Sequence, residues 1–154
     1  MIKYVRGYFK DLIKSEAECF VNMTSCTGRF EKSMSSNFFK HFPEYNFWYI
    51  DKCKRRQIRI GEVYMYETNF TSQQPRYIAS LVYKRNWHSM LWPQHAILSI
   101  RKFSNIIQLM QLKSVAMPAI GYKLDKKTWN KIKDAYNTLD INGAKIYIYS
   151  NLNL

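Results

Sequence analysis

The chain has 154 residues, a length that suits one compact domain and buries enough surface to need neither disulfides nor a structural metal. Apolar residues make up 47% and aromatic residues 16%, which excludes a disordered chain. Lys and Arg number 24 against 11 Asp and Glu, a net charge of +13 whose field draws nucleic acid, nucleotides and acidic proteins.

Residues 2–7 alternate apolar and polar, Ile2 and Tyr4 against Lys3 and Arg6, and read as a short strand. The apolar run 17–23, with Cys19, Phe20 and Val21, suits a buried strand. Over 32–41, Met34, Phe38 and Phe39 share a helical face, and Phe42-Pro43 closes that helix. An aromatic-rich helical piece follows over 45–54. Strands are expected at 61–68 and 76–84, joined by the turn-rich NFTSQQP. Between 94 and 111, Ile97, Leu98, Phe103, Ile106, Ile107, Leu109 and Met110 trace a mostly amphipathic helix. A strand over 115–120, a helix over 128–139 and a strand over 144–149, entered through Asn142-Gly143, complete the series. Strands separated by helix-length segments imply a mainly parallel six-stranded sheet with about four helices on its two faces. The expected fold is a three-layer α/β/α sandwich, one domain over 1–154.

Cys19, Cys26 and Cys53 are odd in number and form no C-x-x-C pair, so neither a zinc site nor a disulfide framework is expected, and no cofactor is implied. No charged-then-apolar leader precedes the first strand, and no apolar run approaches the roughly 18 residues of a membrane span. A cytoplasmic monomer with reduced thiols and no membrane contact is the expectation. The sequons at Asn22 and Asn69 then carry little weight.

Three strand ends are loaded with polar groups, and open α/β sheets bind ligands at strand C-terminal ends. The first holds Asn22, Thr24, Ser25, Thr27, Gly28, Arg29, Glu31 and Lys32. The second is Tyr83-Lys84-Arg85-Asn86-Trp87-His88. The third follows the strand in SVAMPAIGYKLDKK, where a glycine turn feeds a helix, the usual seat of a phosphate. After Gly121 that turn carries Tyr122, Lys123, Asp125, Lys126 and Lys127 in place of further glycines. Lys84 reads either as a general base or nucleophile, its pKa depressed beside Arg85 or by partial burial, or as a phosphate grip. His88 either assists a proton transfer or packs beside Trp87, while His41 and His95 look structural. The run 52–59 holds five basic residues. It reads as a solvated helix end or, with Lys126, Lys127, Lys131 and Lys133, as a track for a phosphate backbone. Phe47, Trp48 and Tyr49 read as core in preference to a base-stacking surface.

The segments VRGYF, AECFVNMTSCTG, FEKSMSSNFFKHFPE, YKRNWHS and MPAIGYKLDKKTW, in this order and spacing, resemble the small macro domains of the DarG antitoxin group. Members of that group remove ADP-ribose from nucleic acid bases. The resemblance runs from residue 2 to residue 149. It implies that Asn22 orients the distal ribose and that Lys84 takes part in hydrolysis. It further implies that Ala119, Ile120, Gly121, Tyr122 and Lys123 form the diphosphate loop. Gly28 and Lys32 keep the family's residue types in the first loop, whereas Ser25 and Ser33 stand where the family carries Asn and Gly. Tyr8 replaces the acidic reader of the adenine amino group, which implies stacking or an altered base preference. Trp129 matches the tryptophan that begins the following helix. Side chains at former glycines bring Cβ atoms towards the phosphates, and Glu31 and Asp125 bring negative charge that Lys32, Lys123 and Lys126 would offset. The implied partner is ADP-ribose or an ADP-ribosylated macromolecule, with nucleic acid on the basic surface. Two alternatives stay open: a non-catalytic nucleotide- or nucleic-acid-binding module on the same fold, and a phosphatase acting on an ADP-ribose phosphate.

Overall fold

The structure is a computed structural model that describes residues 1–28, 34–69 and 75–154. The chain runs β1 (Ile2–Arg6), α1 (Phe9–Leu12), β2 (Cys19–Ser25), α2 (Met34–His41), α3 (Pro43–Lys54), β3 (Val63–Glu67) and β4 (Tyr77–Lys84). It continues with α4 (Pro93–Met110), β5 (Ser114–Pro118), α5 (Lys126–Asn137) and β6 (Lys145–Ser150). The strands form one six-stranded sheet in the order β1-β6-β5-β2-β4-β3. All neighbours pair in parallel except β3 and β4. The link from Glu67 to Tyr77 is too short for a helical crossover, so that pair must be antiparallel.

The period-two alternation of strand side chains feeds two cores. Cys19, Val21, Met23, Leu81, Val115, Met117, Ile146 and Ile148 pack with Ile100, Phe103 and Ile107 of α4 and Ile132 and Tyr136 of α5. On the other face, Phe20, Ile78, Val82, Ala116 and Tyr149 meet Leu12, Phe38, Phe42, Tyr45 and Tyr49 from α1, α2, α3 and their junction. The three-layer α/β/α sandwich with a mainly parallel sheet is the observed fold. Among the described residues, no helix is long and apolar enough to cross a membrane.

Local departures from the expected elements have local causes. A one-turn helix, α1, follows β1 and is too short to leave a periodic pattern. Pro43 and Pro93 occupy first helical positions, where a fixed φ and a missing N–H cost nothing. Phe42-Pro43 therefore ends α2 and starts α3 at once. α5 begins earlier than 128 because Asp125 caps it, its carboxylate accepting from the Thr128 N–H at 2.9 Å and the Thr128 hydroxyl at 2.7 Å. β2 continues through polar Asn22, Thr24 and Ser25, all buried, because β4 pairs with it along that whole length.

Candidate functional site

A cleft of about 870 Å³ opens at the C-terminal edge of the sheet. Its walls come from the ends of four adjacent strands: Gly7 and Tyr8 after β1, Asn22 and Met23 in β2, Pro118 to Ile120 at β5, and Tyr149 to Asn151 at β6. Tyr122 and Lys123 close one side, and Lys10, Met34, Ser35 and Asn37 another. Among the described residues, its charged side chains are Lys10 and Lys123, both cationic, and no carboxylate lines it. Such a hollow favours an anionic ligand, and its volume falls in the range of small-molecule sites.

Three buried tyrosines hold the walls. Asn22 is 1% exposed; its amide Nδ2 donates to the Tyr45 hydroxyl at 3.0 Å. That hydroxyl also shares a 2.5 Å hydrogen bond with Ser80 Oγ, the residue opposite Asn22 in the β2–β4 register. The Tyr45 hydroxyl thus clamps two strands from α3. The Asn22 carbonyl Oδ1 is buried with no hydrogen-bond partner among the described residues. Tyr49, one helical turn further along α3, donates to the Ser25 carbonyl at 2.6 Å. Tyr136 of α5 donates to the Pro118 carbonyl and accepts from the Ile120 N–H, each at 2.9 Å. Burial pushes all three phenols up, so they remain neutral donors.

These tyrosines change the reading of the loop after β5. The Ile120 amide is committed to Tyr136 and the Ala119 amide to the Tyr149 carbonyl at 2.8 Å, so neither N–H is free for a phosphate. Among the described residues, the amides of Gly121, Tyr122 and Lys123 have no backbone partner. Gly121 itself does not line the cleft. It sits at φ +85°, and a Cβ there would lie 2.4 Å from Ile132 Cδ1, so glycine is required for the left-handed turn and for contact with α5. Asp125 turns its carboxylate onto Thr128, whose hydrogen bonds hold it below the usual carboxylate range. Its negative charge is taken up by the helix start. The Tyr122 hydroxyl donates to Asn151 Oδ1 at 2.5 Å, and the Lys123 ammonium sits 5.8 Å from the Tyr122 ring centre. Trp129 packs edge-on to Tyr122 and Tyr4 at 6.4 Å beneath the loop.

Ser25 and Gly28 stand back from the cleft. Ser25 is buried, its hydroxyl paired with Thr27 Oγ1 at 3.1 Å. Gly28, at φ +67°, packs against α3, with space for a Cβ denied by Ile50 at 2.9 Å. Lys32 and Ser33 lie outside the described residues, as do Arg29 and Glu31. Tyr8 lines the cleft with an exposed ring, while its N–H donates to Asp11 Oδ2 at 2.8 Å.

Lys84 lines a second hollow, of about 230 Å³, together with Ile60, Arg85, Ser89, Trp92 and His95. A β-bulge separates it from Asn22: Thr24 pairs with Val82 and Ser25 with Lys84, leaving Tyr83 as the extra residue on β4. Tyr83 lines both hollows. Burial lowers the Lys84 ammonium pKa, and Nζ lies 5.6 Å from the Tyr83 ring centre. His88 stacks edge-on to Trp87 at 5.2 Å. Tyr49 is core and Trp48 is half-buried against Tyr66, but Phe47 is exposed. Among the described residues, no group of His, Cys, Asp or Glu has the grouping to hold a metal ion.

Sequence reasoning missed Tyr45 and Tyr136 as supports of the site. A trace of the first was present, since Tyr45 and Tyr49 stand at i and i+4 and both put polar tips on one buried face.

No protein-family model matches the chain. The chain is 26% identical over 153 residues to the DNA ADP-ribosyl glycohydrolase of Thermus aquaticus, an alignment covering 97% of this chain and 41% of that protein. The chain thus spans about two-fifths of the length of that curated relative. The solved macrodomain of Mycobacterium tuberculosis DarG matches with a TM-score of 0.82 and 25% identity, over 97% of each chain. Thermosipho africanus DarTG in complex with ADP-ribose matches with a TM-score of 0.79 and 20% identity, over 99% of this chain and 43% of that one. Strand order, cleft position and these likenesses agree: the chain has the macro-domain fold and is similar to the macro domains of the DarG type.

Proposed function

We propose that the cleft binds ADP-ribose and that the chain hydrolyses ADP-ribose from DNA. The observation that carries the reading is the cleft itself: about 870 Å³ at the sheet's C-terminal edge, lined by two lysines and no carboxylate among the described residues. The diphosphate sits against the Lys123 ammonium and the amides of Tyr122 and Lys123. The exposed Tyr8 ring stacks on the adenine. A ribose hydroxyl donates to Asn22 Oδ1, which otherwise lacks a partner. Support comes from the name of the Thermus aquaticus relative and from the ADP-ribose complex of the Thermosipho africanus protein.

The reaction joins a water oxygen to the anomeric carbon of the distal ribose as the bond from that carbon to the DNA base breaks. The water's proton passes to the departing base. Lys84 borders the cleft through Tyr83, and its lowered pKa increases the neutral amine that takes this proton from water and passes it on. Incubation with ADP-ribosylated DNA should release ADP-ribose, and Lys84→Ala should release at least about a hundredfold less. Absence of release by the unmutated protein removes the catalytic reading.

One observation favours a second reading, a non-catalytic ADP-ribose module: Lys84 lines a hollow separate from the cleft that holds Asn22. Unmutated protein that binds ADP-ribose tightly without releasing it from DNA would select this reading.

A further inference from the structure

The cleft carries more donors than one diphosphate uses. In the proposed pose Lys123 and the amides of Tyr122 and Lys123 take the diphosphate, which leaves the wall built from α1 and α2. Phe9 of α1 packs edge-on to Phe38 of α2 with ring centres 5.0 Å apart. Ser35 stands one helical turn before Phe38 and shares that face of α2, beside α1. The contact places Lys10, the residue after Phe9, on one wall of the cleft with Ser35 and Asn37.

Lys10 forms no ion pair among the described residues. The carboxylate of its neighbour Asp11 is turned onto the Tyr8 N–H. Ser35 is 4% exposed, yet its Oγ has no hydrogen-bond partner among the described residues. A buried hydroxyl left unpaired costs free energy, and a ligand oxygen that accepts from it removes that cost. The first turn of α2 contains no acidic residue, so it adds partial positive charge to this wall. An ammonium, a hydroxyl and a side-chain amide together suit a phosphate monoester, which brings close to two charges and three acceptor oxygens. A carboxylate brings one charge and two oxygens. Tyr8, two positions before Lys10, sets the proposed adenine beside this wall. We infer that Lys10, Ser35 and Asn37 form a second anion subsite that takes a phosphate monoester on the adenosine ribose. The preferred ligand is then ADP-ribose phosphorylated at its adenosine end. The assignment to adenosine rests on the proposed ADP-ribose reading; the unused donors do not.

The test is calorimetry with ADP-ribose and with ADP-ribose phosphorylated on either hydroxyl of the adenosine ribose. The unmutated protein should bind one phosphorylated form at least about tenfold tighter than ADP-ribose, and the gain should shrink as salt rises. Lys10→Ala truncates an exposed side chain and should bring the affinities within about twofold of each other. Ser35→Ala deletes an unpaired oxygen, so thermal stability should hold or rise while the preference falls about threefold. Equal affinities in the unmutated protein, or a preference untouched by both substitutions, overturns the inference. If ADP-ribose binds and phosphorylation adds nothing, this inference alone falls. If no form binds, the ADP-ribose reading falls and this inference falls with it.

Discussion

Replacing Tyr45 with Phe removes one oxygen and leaves the ring, so the aromatic packing of α3 on the sheet survives. The ring stays stacked on Phe39 at 5.4 Å, and no cavity opens. What is lost is the clamp: Asn22 Nδ2 and Ser80 Oγ, 1% and 0% exposed, both lose the hydroxyl that partners them. Each buried polar group left unpaired costs about 1–3 kcal/mol, and because the two share one partner their costs do not simply add. A loss of about 3 kcal/mol is expected, which for a domain of this size lowers Tm by about 6–12 °C. Urea unfolding of both proteins, with matched m-values, measures it. Asn22 is also free to swing away from the cleft, so ADP-ribose affinity should fall about tenfold in calorimetry. A stability loss under about 1 kcal/mol with affinity unchanged would refute the claim that this hydroxyl organises the site.

Further perturbations separate the remaining parts of the account. Tyr136→Phe strands the Pro118 carbonyl and the Ile120 N–H, so stability should fall by about 1–3 kcal/mol. ADP-ribose binding should weaken with it, as urea unfolding and calorimetry will show. Gly121→Ala forces a Cβ into a φ of +85° and within 2.4 Å of Ile132 Cδ1, and should cost about 2–4 kcal/mol in thermal unfolding. Because burial lowers the Lys84 pKa, release of ADP-ribose from DNA should rise with pH through an inflection below the ordinary 10.5, and Lys84→Arg should abolish that rise. The same shift has a stability sign. Between the lowered pKa and 10.5 the unfolded chain binds more protons, so stability increases slightly as pH climbs through that window. Lys84→Met should remove the increase.

Much of the fold was legible because its signals are local. Apolar runs bounded by turns marked β2, β4 and β5, and the spacing of Phe103, Ile106 and Ile107 marked α4. The site was legible in outline, since the polar ends of β2 and β5 do meet at one cleft holding Asn22, Ile120 and Lys123. Its wiring was not, because the partners are distant in sequence. Tyr45 reaches Ser80 across 35 positions, and the Ile120 N–H finds Tyr136 across 16. No spacing rule announces that the amides of Ala119 and Ile120 are already committed. The register shift on β4 at Tyr83 was equally silent, and beyond it Lys84 faces a hollow of its own. Phe47 was misread as core because its neighbours Trp48 and Tyr49 pack inward, yet it lies on the outer face of α3. Asp125 was read as a lost glycine and a charge beside the phosphates, whereas its position made it a helix cap.

Calorimetric titration of the chain with free ADP-ribose, repeated on Lys123→Glu, tests the cleft most directly. Lys123 is exposed and lines the cleft, so reversing its charge leaves the core intact and opposes the diphosphate. The account predicts one-to-one binding that weakens at least about tenfold in the variant. Heat signals absent from both proteins, or equal affinities in the two, would contradict it.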